Sequence, residues 1–239
     1  MNILILAAGM GVRLGNIDQP KSLVSLKGKS LLVHLLDGLR SFFDGTIYVV
    51  GGYCIDQLAL VTQKDSSIKL LSNTHYSRGS ILSLLAAKEF LNDSFFLMNA
   101  DHLYSPRILG KIFSLQKNPE NIRILCDHDR ALTQDDMKVK LNAKGNVQAI
   151  SKTLSDFDLG YIGCSFIPKD RLSLYWETAM EVLKTKGDKV AVESVIQALS
   201  DRGEDVCPLD VSGSYWIEVD TPEDRAKAEQ TLSMVLNDF

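Results

Sequence analysis

The stretch NILILAAGMGVRLG (residues 2–15) joins a short aliphatic run to three glycines and one arginine. The run at residues 2–7 is typical of a β-strand that is buried on both faces, as in a parallel sheet. Glycines directly after such a strand let backbone N–H groups approach an anion, because no Cβ intervenes. Ligands of parallel sheets bind beyond the carboxyl ends of the strands, so the stretch predicts an anion-binding loop at residues 8–20.

Two cations accompany the glycines: Arg13, and Lys21 in QPKSL (19–23). A guanidinium fork and a compact ammonium together suit a polyphosphate. Two familiar phosphate loops do not fit. A dinucleotide fingerprint needs a third glycine where this sequence has Leu14. A Walker loop needs Lys-Ser or Lys-Thr directly after its last glycine, whereas Gly15 is followed by Asn-Ile. A flexible surface turn with solvated charges is the alternative interpretation.

The rest of the chain predicts an α/β fold with a parallel N-terminal half and a mixed C-terminal half. Ser30 is the predicted N-cap of the first helix, and Thr221 caps the last one with Pro222 at its first position. The predicted strands cover residues 2–7, 46–50, 68–71, 95–99, 122–126, 137–142, 147–151, 161–167 and 215–219. Other predicted helices lie near residues 54–63, 80–91, 170–184 and 191–200.

Composition narrows the class of protein. A net charge of −4, from 26 Lys+Arg and 30 Asp+Glu, gives no global attraction for nucleic acid or anionic membranes. The four cysteines show no metal-ligand spacing, which favours free thiols in a reducing compartment. No signal peptide or membrane-spanning run of about 18 apolar residues is seen. We therefore expect a cytoplasmic protein of one domain, residues 1–239.

The motif LAAGMGVRLG followed by PKSL resembles the signature of nucleotidyltransferases that couple an NTP to a phosphorylated sugar or alcohol. This resemblance implies a Rossmann-like, mainly parallel sheet flanked by helices, of the nucleotide-diphospho-sugar transferase type. It also implies that residues 1–120 bind the NTP and that residues 121–239 bind the acceptor. In that family the loop wraps the triphosphate, which assigns nucleotide contacts to Leu6, Ala7, Ala8, Gly9, Gly11, Arg13 and Lys21.

Two acids follow predicted strands that are distant in sequence. Asp101 comes after FFLMN (95–99), and Asp220 follows YWIEV (215–219). Carboxylates at strand ends can converge on one Mg²⁺, although a lone Asp is more often a helix cap or a solvated acid. The resembling family has acids at both places, which implies Asp101 and Asp220 as metal ligands. Glu218 and Asp224 are explained without function, as a strand-face acid and a first-turn helix acid.

Within that family the chain looks most like inositol-1-phosphate cytidylyltransferases, with phosphocholine cytidylyltransferases as cousins. The matching pieces are ADHLYS (100–105), ISKTLSDFD (150–158), GYIGCSFI (160–167) and YWIEVDTPED (215–224). RGSILSL (78–84) corresponds to the segment beside the base and keeps the family's Gly79 and Ser83, which implies both as nucleotide contacts. It departs from the family at position 80, where the family has an asparagine and this chain has Ser80, which is a further candidate nucleotide contact. Ser80 can also be a plain helix N-cap.

The same resemblance implies the acceptor contacts. Lys152 falls on a lysine that binds the acceptor phosphate, and Glu193 matches an acid near the acceptor hydroxyls. Asp127 follows a predicted strand and is a candidate for the rim of the acceptor pocket. The alternatives without a function are a solvated lysine for Lys152, an exposed helical glutamate for Glu193 and an ordinary charged surface residue for Asp127.

The predicted function is Mg²⁺-dependent transfer from CTP to an inositol-1-phosphate-like alcohol phosphate, giving a CDP-alcohol and pyrophosphate. Arg13, Lys21 and Lys152 are the predicted catalytic residues, and no nucleic acid or membrane insertion is expected. A UTP- or GTP-dependent sugar-1-phosphate transferase and a non-catalytic nucleotide sensor are the alternatives. The misplaced third glycine argues against a dinucleotide oxidoreductase. The sequence leaves a monomer and a homodimer open.

Overall fold

The computed structural model describes residues 1–15, 18–114 and 120–239, so residues 16 and 17 of the predicted loop lie outside the described residues. The strands are β1 (Asn2–Leu6), β2 (Ser25–Leu26), β3 (Lys29–Ser30), β4 (Ile47–Gly51), β5 (Ile68–Ser72), β6 (Phe95–Asn99), β7 (His102–Tyr104), β8 (Ile122–Asp127), β9 (Lys138–Leu141), β10 (Val147–Ser151), β11 (Leu159–Ile167), β12 (Val206–Asp210) and β13 (Trp216–Glu218). The helices are α1 (Leu31–Arg40), α2 (Ile55–Thr62), α3 (Ser80–Ala86), α4 (Pro106–Ser114), α5 (Leu172–Lys186), α6 (Glu193–Asp201) and α7 (Pro222–Leu236).

One large sheet joins the two halves of the chain. Its main path in the described residues runs β10-β9-β11-β6-β1-β4-β5, and β8 pairs with both β11 and β12. The pairs of β1 with β4 and β6, and of β4 with β5, are parallel, whereas β11 is antiparallel to β6, β8 and β9. This confirms the predicted parallel first half and mixed second half. Two-stranded pairs β2–β3 and β7–β13 lie beside it.

Helices cover both faces of β1, which explains its unbroken aliphatic sequence. Ile3 and Ile5 point to one face and pack with residues of α1, α4 and α7. Leu4 and Leu6 point to the other face and pack with residues of α3, α5 and α6. Because successive side chains of a strand alternate, this single strand anchors two hydrophobic cores. Its carboxyl end is therefore a rigid starting point for the loop that follows.

The capping predictions are mostly confirmed. The Ser30 hydroxyl accepts a hydrogen bond from the Val33 N–H at 3.3 Å, and Thr221 forms a reciprocal capping box with Asp224. Ser80 is an exception, since α3 is capped by the backbone of Gly79 without a side-chain bond. The N-cap interpretation of Ser80 is therefore wrong. Its hydroxyl instead accepts from the Val192 N–H at 2.8 Å.

Five elements had not been predicted: the short strands β2, β3 and β7, the helix α4 and the strand β12. The helix predicted near residues 80–91 ends at Ala86, and a separate 3₁₀ turn covers Lys88–Phe90. The four cysteines are free, as predicted. Across the described ranges, no helix has both the length and the apolar character that a membrane crossing requires.

Candidate active site

The opening loop folds back so that Lys21 lies beside the glycines. The Ala7 N–H still bonds the sheet, at Val50, and the Lys21 N–H then donates to the Gly9 carbonyl at 3.1 Å. Gly11 has φ +67°, and a Cβ there would lie 3.1 Å from the Cβ of Lys21. Both the left-handed backbone and the close approach of Lys21 therefore favour glycine at position 11.

Lys21 joins the two acids that were predicted as metal ligands. Its Nζ donates to carboxylate oxygens of both Asp101 and Asp220. The backbone brings these acids together, because the Val219 N–H donates to the Asp101 carbonyl at 3.1 Å. The three side chains are each 20% exposed or less. One cationic group contacts both carboxylates, so both are within reach of a single cation.

The electrostatics of this group fit a metal ion. Burial alone would raise the pKa of Asp101, but the neighbouring Lys21 and His102 outweigh burial and hold that pKa well below its usual range. Asp101 is therefore ionised at neutral pH. Two carboxylates at strand ends provide the hard oxygen ligands that Mg²⁺ prefers. Arg13 adds a second cation, donating to Asp220 Oδ2 at 2.5 Å.

A cavity of about 270 Å³ opens beside these carboxylates, between the loop after β1 and the start of α3. Predicted site residues that line it are Leu6, Ala7, Ala8, Gly9, Lys21, Ser80, Ser83, Asp101 and Glu193. Lining residues that the sequence reasoning missed are Ser22, Tyr76, Arg78, Asn99 and Ala100. The predicted residues Gly11, Arg13, Gly79, Asp127, Lys152 and Asp220 do not line it.

Hydrogen bonds fix the direction in which Ser83 presents its hydroxyl. The His75 N–H donates to Asn73 Oδ1 at 2.9 Å, so the oxygen of this side chain faces His75 and its NH₂ group faces Ser83. Asn73 Nδ2 then donates to Ser83 Oγ at 3.0 Å. Because Ser83 already accepts from Asn73, its own hydrogen remains to donate to a group in the cavity. No local sequence signal marks Asn73, since its role depends on the fold.

Gly79 does not line the cavity, and its contribution is to allow close packing of neighbouring backbone. Its N–H donates to the Asp188 carbonyl at 2.7 Å, and a Cβ at position 79 would overlap the carbonyl oxygen of Val190. Arg78 forms an ion pair with Asp188. These contacts clamp residues 188–192 against the start of α3. The clamp leads directly into Glu193, and so sets where that acid enters the cavity.

Glu193 and Lys152 lie near each other on the C-terminal side of the site. Burial raises the pKa of Glu193, and the positive charge of Lys152 opposes the shift. Lys152 follows β10 and is exposed, and its backbone carbonyl accepts from Lys138 Nζ at 2.9 Å. A carboxyl group in the cavity and an exposed cation near it can recognise hydroxyls and a phosphate, respectively.

Comparison with known families shows to which family the chain belongs. The model of the MobA-like NTP transferase domain matches residues 3–162, which include the opening loop and Asp101. The chain belongs to this family. The match confirms the nucleotidyltransferase resemblance that was drawn from LAAGMGVRLG and PKSL.

Individual relatives of this NTP transferase are similar over nearly its whole length. A bifunctional IPC transferase and DIPP synthase of Archaeoglobus fulgidus is 27% identical over 234 residues, which cover 97% of this chain and 44% of the relative. A CTP:phosphoglutamine cytidylyltransferase of Campylobacter jejuni is 24% identical, covering 94% of this chain and 97% of the relative. The chain spans about half the length of the bifunctional relatives it matches.

A solved structure confirms the fold class. The inositol-1-phosphate CTP transferase from T. maritima superposes with a TM-score of 0.81, covering 98% of this chain and 95% of that one, at 20% identity. At this identity the likeness shows the shared fold.

Asp127 occupies a different environment from the one predicted. It ends β8 and is only 2% exposed, with its carboxylate accepting from Arg130 Nε at 3.0 Å and Trp216 Nε1 at 2.9 Å. Burial raises its pKa, although these two partners oppose the shift. In this NTP transferase Asp127 therefore holds two neighbouring side chains and does not line the cavity.

Proposed function

We propose that the chain transfers the cytidylyl group of CTP to the phosphate of a phosphorylated polyol or alcohol, releasing pyrophosphate. The observation that carries this proposal is Lys21 joining Asp101 and Asp220 at the mouth of the glycine loop. The names of the relatives support CTP as the donor, since one is called a CTP:phosphoglutamine cytidylyltransferase.

The donor triphosphate lies along the opening loop in this proposal. Backbone N–H groups near Gly9 and Gly11 face the phosphates, and Lys21 and Arg13 offset charge on the departing pyrophosphate. Asp101 and Asp220 would hold Mg²⁺ through their carboxylate oxygens. When bound there, Mg²⁺ supplies positive charge that screens the phosphate oxygens. The two basic residues also keep the carboxylates in place before substrates bind.

The acceptor phosphate attacks without help from a base. A phosphate monoester has a second pKa of about 6, so it is mainly a dianion at neutral pH. One of its oxygens bonds to the α-phosphorus of CTP, the bond from that phosphorus to the bridging oxygen breaks, and pyrophosphate leaves with the electron pair. Lys152 steers the acceptor phosphate and Glu193 binds an acceptor hydroxyl. Catalysis then comes from positioning and charge.

The hydroxyl of Ser83 contributes to reading the base. Because Asn73 makes it a donor, it pairs with an acceptor atom of the base, such as O2 or N3 of cytosine. Ser80 lies next to it on the cavity wall. Uracil also offers carbonyl acceptors, so the choice of nucleotide is decided by experiment.

The test is pyrophosphate release from each of the four NTPs with Mg²⁺ and a panel of phosphorylated polyols, sugars and amino-alcohols. Release with CTP and a polyol or alcohol phosphate is the expected result. Release only with UTP or GTP and a sugar phosphate would instead indicate a sugar-nucleotide enzyme. CTP binding without release from any pair would indicate a nucleotide sensor.

Two variants connect that activity to the proposed residues. Asp101→Asn is expected to lose nearly all turnover at saturating Mg²⁺. The matched control is Asp37→Asn, which also removes a carboxylate paired with a lysine, since Asp37 contacts Lys29 at 2.6 Å on an exposed surface. Wild-type turnover in Asp101→Asn would remove this acid from the active site.

A further inference from the structure

The second oxygen of Asp101 is bound by a buried histidine. Lys21 contacts Oδ2, while His102 Nδ1 lies 2.7 Å from Oδ1. An ionised carboxylate can only accept hydrogen bonds, so Nδ1 must carry the hydrogen. The bond therefore fixes the rotation of the Asp101 carboxylate from the side opposite to Lys21.

The imidazole ring of His102 is itself confined. Its side chain is 5% exposed, and its ring stacks on Trp216 with centroids 5.6 Å apart and planes within 1°. A Cβ at Gly163, where φ is +73°, would lie 2.6 Å from Nε2. Only glycine at position 163 leaves space for the ring, so the backbone of β11 is shaped around His102.

The register of a small sheet brings these rings together. In the antiparallel pair β7–β13, His102 is opposite Glu218 and Tyr104 is opposite Trp216. Side chains two residues apart and directly opposite share one face of a sheet, so these four lie together. The other face carries Leu103 and Ile217, which are buried in the hydrophobic core. This burial ties the orientation of His102 to the stability of the core.

Trp216 is fixed in turn by Asp127, the last residue of β8, and by Arg130 in the loop that follows. The guanidinium carbon of Arg130 lies 4.6 Å from the centroid of the Trp216 ring, a cation–π contact. Asp127 binds both the indole N–H and Arg130. Arg130 also donates to Asp136 at 2.5 Å. A continuous series of contacts thus runs from this loop through Trp216 and His102 to Asp101.

We propose that His102 is a positioning residue for Asp101, and that Trp216 and Arg130 hold it in place. This inference rests on the proposed role of Asp101 as a metal ligand. Groups that orient a ligand from behind typically change metal affinity about 10- to 100-fold when they are removed. Loss of the His102 N–H is therefore expected to weaken metal binding, with turnover restored at high metal concentration.

Two substitutions at position 102 separate the hydrogen bond from the packing. His102→Phe keeps a ring against Trp216 and removes the N–H, whereas His102→Asn keeps a donor near the position of Nδ1. Binding of Mn²⁺ in the presence of CTP is measured by electron paramagnetic resonance. His102→Phe is expected to raise the Kd for Mn²⁺ about tenfold or more, and His102→Asn is expected to restore most of the affinity.

Trp216 provides a second readout. The chain has two tryptophans, so a Trp176→Phe background leaves Trp216 as the only one. Paramagnetic Mn²⁺ is expected to quench its emission, at about tenfold higher concentration in His102→Phe. Arg130→Met, which keeps the side-chain stem and loses the charge, is expected to give a smaller shift in the same direction.

The matched control is His34→Phe, because the ring nitrogen of His34 lies 2.9 Å from the Leu26 carbonyl and outside the cavity lining. Thermal unfolding confirms that each variant folds. Unchanged Mn²⁺ affinity in folded His102→Phe, or equal losses in His102→Phe and His102→Asn, would overturn the inference. So would nitrogen hyperfine coupling to bound Mn²⁺, which would make His102 a ligand together with Asp101 and Glu218.

Asp101→Asn distinguishes this inference from the proposed function. If Asp101→Asn loses Mn²⁺ binding while His102→Phe keeps it, only the positioning role fails. If Asp101→Asn binds Mn²⁺ as the wild type does, the metal role of Asp101 fails and the inference fails with it.

Discussion

Replacing Gly11 with alanine tests whether the glycine loop sets the position of Lys21. Gly11 has φ +67°, and an alanine there adopts the left-handed region at a cost of about 1–2 kcal/mol. In a chain of this size, about 1 kcal/mol lowers Tm by about 2–4 °C. Backbone strain alone therefore predicts a Tm lower by about 2–8 °C.

The same substitution also crowds Lys21. The new Cβ would lie 3.1 Å from the Lys21 Cβ and 3.3 Å from its Cα, so the lysine must shift. Displacing a catalytic group by about 1 Å can cost about 100-fold in rate. The contact at 3.1 Å requires a shift of only a few tenths of an ångström, so we expect Gly11→Ala to lose up to about tenfold in kcat/KM for pyrophosphate release, besides its loss of stability.

Gly145→Ala is the matched control for strain. Gly145 has φ +80°, lies in the turn between β9 and β10, and has no atom within 4 Å of an added Cβ. It should therefore lower Tm by a similar amount and keep kcat/KM. The reasoning is refuted if Gly11→Ala shows that same fall in Tm together with wild-type kcat/KM, since Lys21 would then tolerate the contact.

Four further substitutions have distinct expected outcomes. Ser83→Ala removes the donor to the base and should raise KM for CTP about tenfold, measured against UTP in parallel. Lys152→Ala should raise KM for the acceptor and leave that for CTP unchanged. Burial raises the pKa of Glu193 in the folded protein, so the charged carboxylate destabilises the fold at high pH. Glu193→Gln should therefore raise Tm at about pH 8. This gain should vanish below about pH 4, where Glu193 is neutral in both the folded and the unfolded state. Asp127→Asn should raise the metal concentration that turnover needs, whereas a direct contact with the acceptor would raise the acceptor KM.

The central strands could be predicted because their sequences carry strong local signals. β1 and β6 are continuous apolar runs, and the start of α7 combines a cap, a proline and a first-turn acid. β12 lacked such a signal, because VCPLD contains Pro208 and most of its residues are only half-buried. Proline is tolerated there since, among the described residues, β12 pairs with β8 alone and forms an edge. β7 has three residues, too few to show a period.

In the candidate site, too, the residues near strongly marked elements could be predicted and the others could not. The placement of the loop residues, Asp101 and Asp220 beside one another could be predicted because each comes soon after a strand that could itself be recognised, whereas their expected roles came from the family resemblance. Tyr76, Arg78 and Asn73 could not, since their places depend on the clamp of residues 188–192 and on hydrogen bonds between distant segments. Spacing in the sequence carries no information about such contacts.

Asp127 ends a strand on the same side of the sheet as the site, but it is connected to the site through other side chains and does not line the cavity. β8 runs beside β11, so its last residue emerges near the site, as the charged sequence suggested. Its carboxylate is turned inward, however, because the indole N–H of Trp216 and the guanidinium of Arg130 satisfy it. Trp216 in turn faces His102, which binds Asp101. Asp127 of the C-terminal half is thus connected by contacts to Asp101 of the N-terminal half through two aromatic rings, so the proposed metal site depends on both halves being folded together.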